Sequence, residues 1–65
     1  MKKYELIVRK DYLSGYLISA EYYSELDEAN RRFDLMSYSN ITYVMLRNNE
    51  TREIVRFEEQ DYKPH

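Results

Sequence analysis

The first ten residues alternate between apolar and mostly polar side chains. Between residues 2 and 10, apolar or aromatic side chains stand two positions apart, at Tyr4, Leu6 and Val8. A period of two is typical of a β-strand that is buried on one face. This stretch therefore predicts a first strand whose Tyr4, Leu6 and Val8 side chains face the core.

A second strand is predicted over residues 16–23, after a hairpin loop that is closed by Gly15. This residue is the one glycine in the sequence, and glycine accepts the positive φ that hairpin loops often require. One side of the predicted strand carries Tyr16, Ile18, Ala20 and Tyr22. We expect Ile18 and Ala20 to join the core, and Tyr16 and Tyr22 to pack at its margin.

The pattern becomes helical after the second strand. At about 100° per residue, one stripe of a helix would carry four apolar side chains. These are Leu26, Ala29, Phe33 and Met36. Ser24 is a typical N-cap residue, and Ser39-Asn40 is predicted to end the helix because asparagine tolerates the left-handed cap conformation. Leu35 lies roughly opposite the stripe and is expected to face solvent.

The most apolar run of the sequence is residues 41–46, and it predicts a third strand. A turn over residues 48–51 and a last strand over residues 52–59 follow. With an even number of loop residues, Val44 pairs with Val55 across this second hairpin. Leu46 and Phe57 then share their face, which we expect to lie beneath the helix. A slip of one residue would exchange the two faces.

Together these elements predict an α+β fold, ββαββ, in which one helix packs on one face of a four-stranded sheet. Their lengths and order resemble those of the small β-grasp domains, and this resemblance implies the strand order 2-1-4-3. The unbroken apolar run of the third strand favours two other arrangements. It suits a central strand buried on both faces, as in the order 2-1-3-4, or an edge covered by a second copy. Residues 1–60 are predicted to form a single domain, and residues 61–65 a frayed tail.

Composition excludes several classes of protein. The 65 residues include no cysteine and carry a net charge of −2, so neither a disulfide framework nor a strongly basic surface for nucleic acid is expected. No apolar stretch approaches the roughly 20 residues that span a bilayer, and the charged N-terminal residues do not resemble a signal peptide. These features predict a cytoplasmic protein that has no membrane partner.

Residues for catalysis are scarce. His65 is the only histidine and the last residue, so the triads of nucleophilic catalysis cannot be assembled. A single glycine leaves no phosphate-binding loop. Glu58, Glu59 and Asp61 could hold a cation, but consecutive strand residues point to opposite faces, so a solvated acidic tail is the better interpretation. We therefore predict no enzyme, and neither catalytic residues, cofactor nor metal site.

The tyrosines are the unusual feature of the composition, with eight in 65 residues. The assumed registers place several aromatic, apolar and arginine side chains on the sheet face away from the helix. Arginine and tyrosine are enriched in the residues that dominate binding energy at interfaces. Alternatively, long charged side chains cover that face. The predicted partner-binding residues are Tyr23, Tyr43, Met45, Arg52, Ile54 and Arg56.

The sequence thus favours a small non-enzymatic interaction module that binds a partner protein and inhibits or regulates it. Short, acidic, cysteine-free chains of this kind are typical of the accessory proteins of phages and mobile elements. One alternative is a single-stranded nucleic-acid binder that uses arginine and tyrosine on the sheet. Another is a structural homodimer, with its sheets packed face to face or its edges paired.

Overall fold

The structure, a computed structural model, describes residues 2–36 and 41–60. Within these residues the order of elements is strand–strand–helix–strand–strand, as predicted. The elements are β1 (Tyr4–Tyr12), β2 (Gly15–Tyr23), α1 (Leu26–Leu35), β3 (Ile41–Asn48) and β4 (Ile54–Glu59). The α+β class with a four-stranded sheet and one helix is confirmed. The predicted tail, residues 61–65, lies outside the described residues.

The four strands form one antiparallel sheet in the order β2-β1-β3-β4. The order 2-1-4-3 and the β-grasp architecture are therefore wrong, and the alternative order 2-1-3-4 is confirmed. The burial of the strands gives the physical reason. Most of β3 is buried, whereas nearly all of β4 is exposed. An apolar strand is stabilised at the centre, where neighbours pair with both of its edges, and a charged strand is tolerated at the margin.

Helix α1 is shorter than the sequence pattern suggests. It begins at Leu26, and the N-cap residue Glu25 makes no side-chain capping hydrogen bond, so the predicted cap at Ser24 is wrong. Asp27 and Glu28 in the first turn still favour the positive end of the helix dipole. The helix ends at Leu35, and the predicted end at Ser39-Asn40 lies outside the described residues.

The hydrophobic core lies between α1 and the two central strands. Ala29 and Phe33 are its helical members, as predicted, and the opposite residue Leu35 is exposed. Leu6 and Leu46, neighbours on β1 and β3, are completely buried. The buried apolar cluster consists of Leu6, Val8, Ala29, Phe33, Ile41, Val44 and Leu46.

The register of the first hairpin reverses the predicted faces of β2. The loop contains only Leu13 and Ser14, so Tyr12 pairs with Gly15. In this register Leu6 pairs with Glu21, and the side chains of both point toward the helix side. The even-numbered residues of β2 therefore face away from the helix. The predicted core positions of Ile18 and Ala20, and the predicted core-edge positions of Tyr16 and Tyr22, are wrong.

The second hairpin differs from the expectation because β4 contains a bulge. Leu46 pairs with Arg56 and Arg47 pairs with Ile54, which leaves Val55 as an extra residue. Val44 consequently pairs with Glu58 and not with Val55. Phe57 is opposite Met45, on the face away from the helix, so its predicted core position is also wrong.

Candidate functional site

Helix α1 packs against β1, β2 and β3 from one side, and no other described element covers the opposite side of the sheet. We call this opposite side the open face. Its cross-strand neighbours form three rows, each with one residue from every strand in sheet order. The rows are Ile18-Arg9-Tyr43-Glu59, Ala20-Ile7-Met45-Phe57 and Tyr22-Glu5-Arg47-Ile54.

The middle row of the open face is apolar across all four strands. Met45, near its centre, is only 9% exposed, whereas Phe57 at the β4 edge is 49% exposed. Tyr43 contacts the Phe57 ring edge-on, with ring centroids 5.1 Å apart and planes at 81°. The Tyr43 hydroxyl also lies 3.4 Å from the sulfur of Met45. These contacts fix the orientation of two aromatic rings on an otherwise uncovered surface.

Arg9 is held on this face by two neighbours. Its Nε donates to Asp11 Oδ1 at 3.1 Å, and its guanidinium lies over the Tyr16 ring, 4.3 Å from the centroid. A bulge in β3 places Thr42 so that its hydroxyl donates to Asp11 Oδ2 at 2.8 Å. This hydrogen bond is the main reason that the pKa of Asp11 lies below its usual value, and Arg9 adds to the effect.

Arg47 and Glu5 form the second ion pair of the open face. They are cross-strand neighbours, and Arg47 Nη2 donates to Glu5 Oε1. A hydrogen bond to the Glu5 carboxylate raises the pKa of Tyr22 above its usual value, because it stabilises the neutral phenol. Both arginines of the open face therefore have a carboxylate partner on the same surface.

The open face also has a shallow hollow of about 250 Å³ between β2 and β3. Its walls are Ile7, Arg9, Ile18 and Tyr43. The lining thus consists of two aliphatic residues, one aromatic residue and an arginine that is already paired with Asp11. It can therefore accept an apolar side chain without leaving a charge unpaired.

Three of the six predicted site residues lie on the open face, namely Tyr43, Met45 and Ile54. The predicted placement of Tyr23 and Arg56 on this face is wrong. Tyr23 pairs with Tyr4 and packs against the core on the helix side, where burial and a hydrogen bond to Glu21 raise its pKa. Arg56 pairs with the core residue Leu46, so it faces the helix as well.

Arg52, the sixth predicted residue, lies in the loop before β4. Its φ is 64°, in the left-handed region, and its N–H donates to the carbonyl oxygen of Asn48 at 2.7 Å. This left-handed backbone conformation closes the turn, although arginine, like other residues with a Cβ atom, rarely adopts it. This role of Arg52 in the turn involves its backbone, so it does not depend on whether the side chain also contacts a partner.

The sequence interpretation missed four exposed side chains of this surface, Tyr16, Ile18, Tyr22 and Phe57. A loop of only two residues between Tyr12 and Gly15 would have predicted the three on β2, since it fixes which residues share a face. The position of Phe57 on the open face depends on the bulge at Val55, and the sequence has no glycine there to indicate a bulge.

In residues 2–36 and 41–60, no group of three or more His, Cys, Asp or Glu side chains could hold a metal ion. Over the same residues, no helix has the length and apolar character needed to cross a membrane. Comparisons with protein-family models, curated protein sequences and solved structures found no match to this chain. The geometry of the open face is therefore the basis for a functional proposal.

Proposed function

We propose that this chain is a non-enzymatic interaction module that binds a partner protein through its open face. The observation that carries the proposal is the apolar middle row, which crosses all four strands between two rows that each contain an arginine held in an ion pair. A contiguous apolar strip with a polar margin is typical of protein interfaces. Its burial by a partner would stabilise the complex in proportion to the apolar area removed from water.

The charges of the open face favour a protein over single-stranded nucleic acid. Phosphate binding requires cations that can exchange their counterions for the ligand. Arg9 is paired with Asp11, and Arg47 with Glu5. Glu59 adds a further negative charge to the same surface. A phosphate backbone would have to compete with these carboxylates, whereas an apolar partner surface would leave both ion pairs intact.

Tyr43 and Phe57 are the proposed anchors of the interface. Aromatic side chains carry a large share of the binding energy at interfaces. The edge-on contact of these two rings reduces the conformational freedom that binding would otherwise remove. The hollow beside Tyr43 would receive an apolar side chain of the partner. We propose further that binding inhibits or regulates that partner, and that it takes place in the cytoplasm.

The test compares the proteins that the immobilised wild type and two variants retain from a nuclease-treated cell lysate. Phe57→Lys places a charge in the apolar middle row, and Leu35→Lys makes the same change at an exposed helix position away from the sheet. A partner of the open face should be retained by the wild type and Leu35→Lys, and lost with Phe57→Lys. Circular dichroism checks that both variants fold.

With the purified partner, Tyr43→Ala should weaken binding by about 2 kcal/mol, roughly thirtyfold in Kd. Binding of a single-stranded oligothymidine is measured alongside, at increasing salt. Tight, steeply salt-dependent binding of that oligonucleotide would support the nucleic-acid alternative instead. Retention of the same proteins by folded Phe57→Lys would contradict the proposed surface.

A further inference from the structure

The two edges of the sheet differ in their protection against pairing with another strand. At one edge, β4 has six residues, a bulge at its second residue, Val55, and charges at Arg56, Glu58 and Glu59. Short length, bulges and charges are the features by which edge strands avoid association. At the other edge, β2 has nine residues and a regular register with β1 along its whole length.

The unprotected edge, β2, is also rich in exposed apolar side chains. Tyr16, Leu17 and Ile18 are 62%, 56% and 55% exposed. The strand contains no proline, lysine or arginine, and Glu21 is its only charged residue. Because, among the described residues, β2 has a strand on one side only, half of its backbone donors and acceptors point outward and can pair with a further strand.

We infer that β2 pairs antiparallel with β2 of a second copy of this chain, around a two-fold axis at Ser19. An antiparallel pair with two-fold symmetry places residues equally distant from the axis opposite each other. Ser19 is the middle residue of Gly15–Tyr23, so an axis there overlaps all nine residues of both strands. Any other axis along the strand leaves part of each edge unpaired.

This register suits the side chains on both faces of the strand. On the helix side, Glu21 is opposite Leu17 of the second copy, so no two like charges are adjacent. Arg32 and Tyr23 of its own chain already bond to the Glu21 carboxylate, at 3.2 and 2.9 Å. On the open face, Tyr16 is opposite Tyr22 of the second copy, and aromatic pairs of this kind stabilise sheets. The edge is therefore complementary to itself.

Pairing around this axis would join two sheets of four strands into one of eight. Both helices would lie on one side, because an antiparallel pair keeps residues of the same face together. The two open faces would then form one continuous surface. The inference is independent of the proposed function, because it depends on the backbone edge of β2 and not on Tyr43 or Phe57.

The first test is the mass of the purified chain and two lysine variants by sedimentation equilibrium. Ser19→Lys places two ammonium groups opposite each other at the axis, whereas Leu17→Lys places each one opposite Glu21 of the second copy. The wild type should have twice the mass of the chain. Ser19→Lys should raise the dissociation constant of the dimer by about tenfold or more, and Leu17→Lys should leave it unchanged or lower it.

The second test uses the absence of cysteine from the sequence. Residues directly opposite in an antiparallel pair have Cα atoms about 4.5–5.5 Å apart, within the range that a disulfide spans. Ser19→Cys should therefore form a disulfide dimer under mild oxidation. Leu17→Cys is the matched control, because the two thiols would lie four residues apart along the strands, about 13 Å.

Three results would overturn the inference. One is a wild type that remains monomeric at concentrations of about 100 μM, well above those of an ordinary specific dimer. Another is a disulfide that forms as readily in Leu17→Cys as in Ser19→Cys, which would exclude an axis at Ser19. The third is a dimer that Phe57→Lys dissociates and Ser19→Lys does not, because that dimer would use the open face.

Discussion

The guanidinium of Arg56 lies over the ring of Phe33, with Cζ 4.1 Å from the ring centroid. The same side chain bonds to Asp34 at 2.9 Å and to Asn30 at 3.3 Å. It therefore connects the outermost strand, β4, to the helix across the side of the core. Arginine suits this position because its planar group can stack and bond at the same time.

Arg56→Ala should lower the free energy of unfolding by about 1 kcal/mol, through loss of the stacking on Phe33. It should not weaken partner binding at the open face, because the side chain lies on the helix side. Urea denaturation measures the first effect, and titration with the partner measures the second. Arg56→Lys keeps the charge without the planar stack, so it should recover only part of the stability. If Arg56→Ala instead abolished partner binding and left stability unchanged, Arg56 would belong to the interface.

Phe33→Ala should lower the free energy of unfolding by about 3–5 kcal/mol, because it removes a buried ring from the contact between helix and sheet. Net stability in so small a domain is of about the same size, so we expect this variant to be largely unfolded at room temperature, and thermal melts measure the loss. Leu35→Ala is the control, since Leu35 is 60% exposed on the same helix. A larger effect from Leu35→Ala would contradict the observed phase of the helix.

Arg52→Gly should raise the free energy of unfolding by up to about 1 kcal/mol. The left-handed backbone at Arg52 is unfavourable for any residue with a Cβ atom and costs glycine little. The greater freedom of glycine in the unfolded chain offsets part of the gain. Urea denaturation of Arg52→Gly and Arg52→Ala separates the backbone effect from loss of the side chain. Equal stabilities of the two variants would contradict this explanation.

Thr42→Val should raise the pKa of Asp11 toward its ordinary value of 3.8, because the hydroxyl that bonds to its carboxylate is lost. A lowered pKa in the folded state contributes stability above the unfolded value, and this contribution disappears as pH falls through the folded pKa. The variant should therefore lose a stabilising contribution that the wild type retains near pH 4 and above. An NMR titration of the Asp11 carboxyl carbon measures the shift. Thr51→Val, whose hydroxyl is bonded elsewhere, should leave the pKa of Asp11 unchanged.

Deletion of residues 61–65 should leave partner binding intact, since the residues that the structure places on the open face all lie between Glu5 and Glu59. The deletion removes His65, the only imidazole of the chain. Titration of the truncated chain with the partner is the measurement, and His65→Ala is the finer control. Complete loss of partner binding by a truncated chain that still folds would contradict the prediction that residues 61–65 take no part in binding.

The sequence predicted the order of elements because its strongest patterns were local. The alternation at Tyr4, Leu6 and Val8 and the stripe through Ala29 and Phe33 each require only one element to be regular. The strand order depended on a comparison of burial between strands. The apolar run of β3 indicated the correct strand order. The resemblance to a β-grasp, which depended only on the lengths and order of the elements, implied the wrong one.

The faces of β2 and β4 could not be predicted in the same way. Apolar side chains occur on both sides of β2, for instance Leu17 and Ile18, so its pattern does not choose a face. The length of the hairpin loop decides which side chains of β2 face the helix. A loop one residue longer or shorter would move every side chain of the strand to the opposite face. The bulge at Val55 has the same effect on β4. This is why the open face was expected, while Tyr23 and Arg56 were assigned to the wrong side of the sheet.

The pairing of β1 with β3 has a consequence for how the chain folds. The fully buried residues Leu6 and Leu46 are neighbours across this pair, although they are 40 positions apart along the chain. The β1–β2 hairpin closes locally, but the core cannot form until the segment between the central strands has been closed into a loop. Closing that loop removes entropy before the buried contacts compensate for it. Folding should therefore be slow for so short a chain, and neither half, split between α1 and β3, should fold without the other.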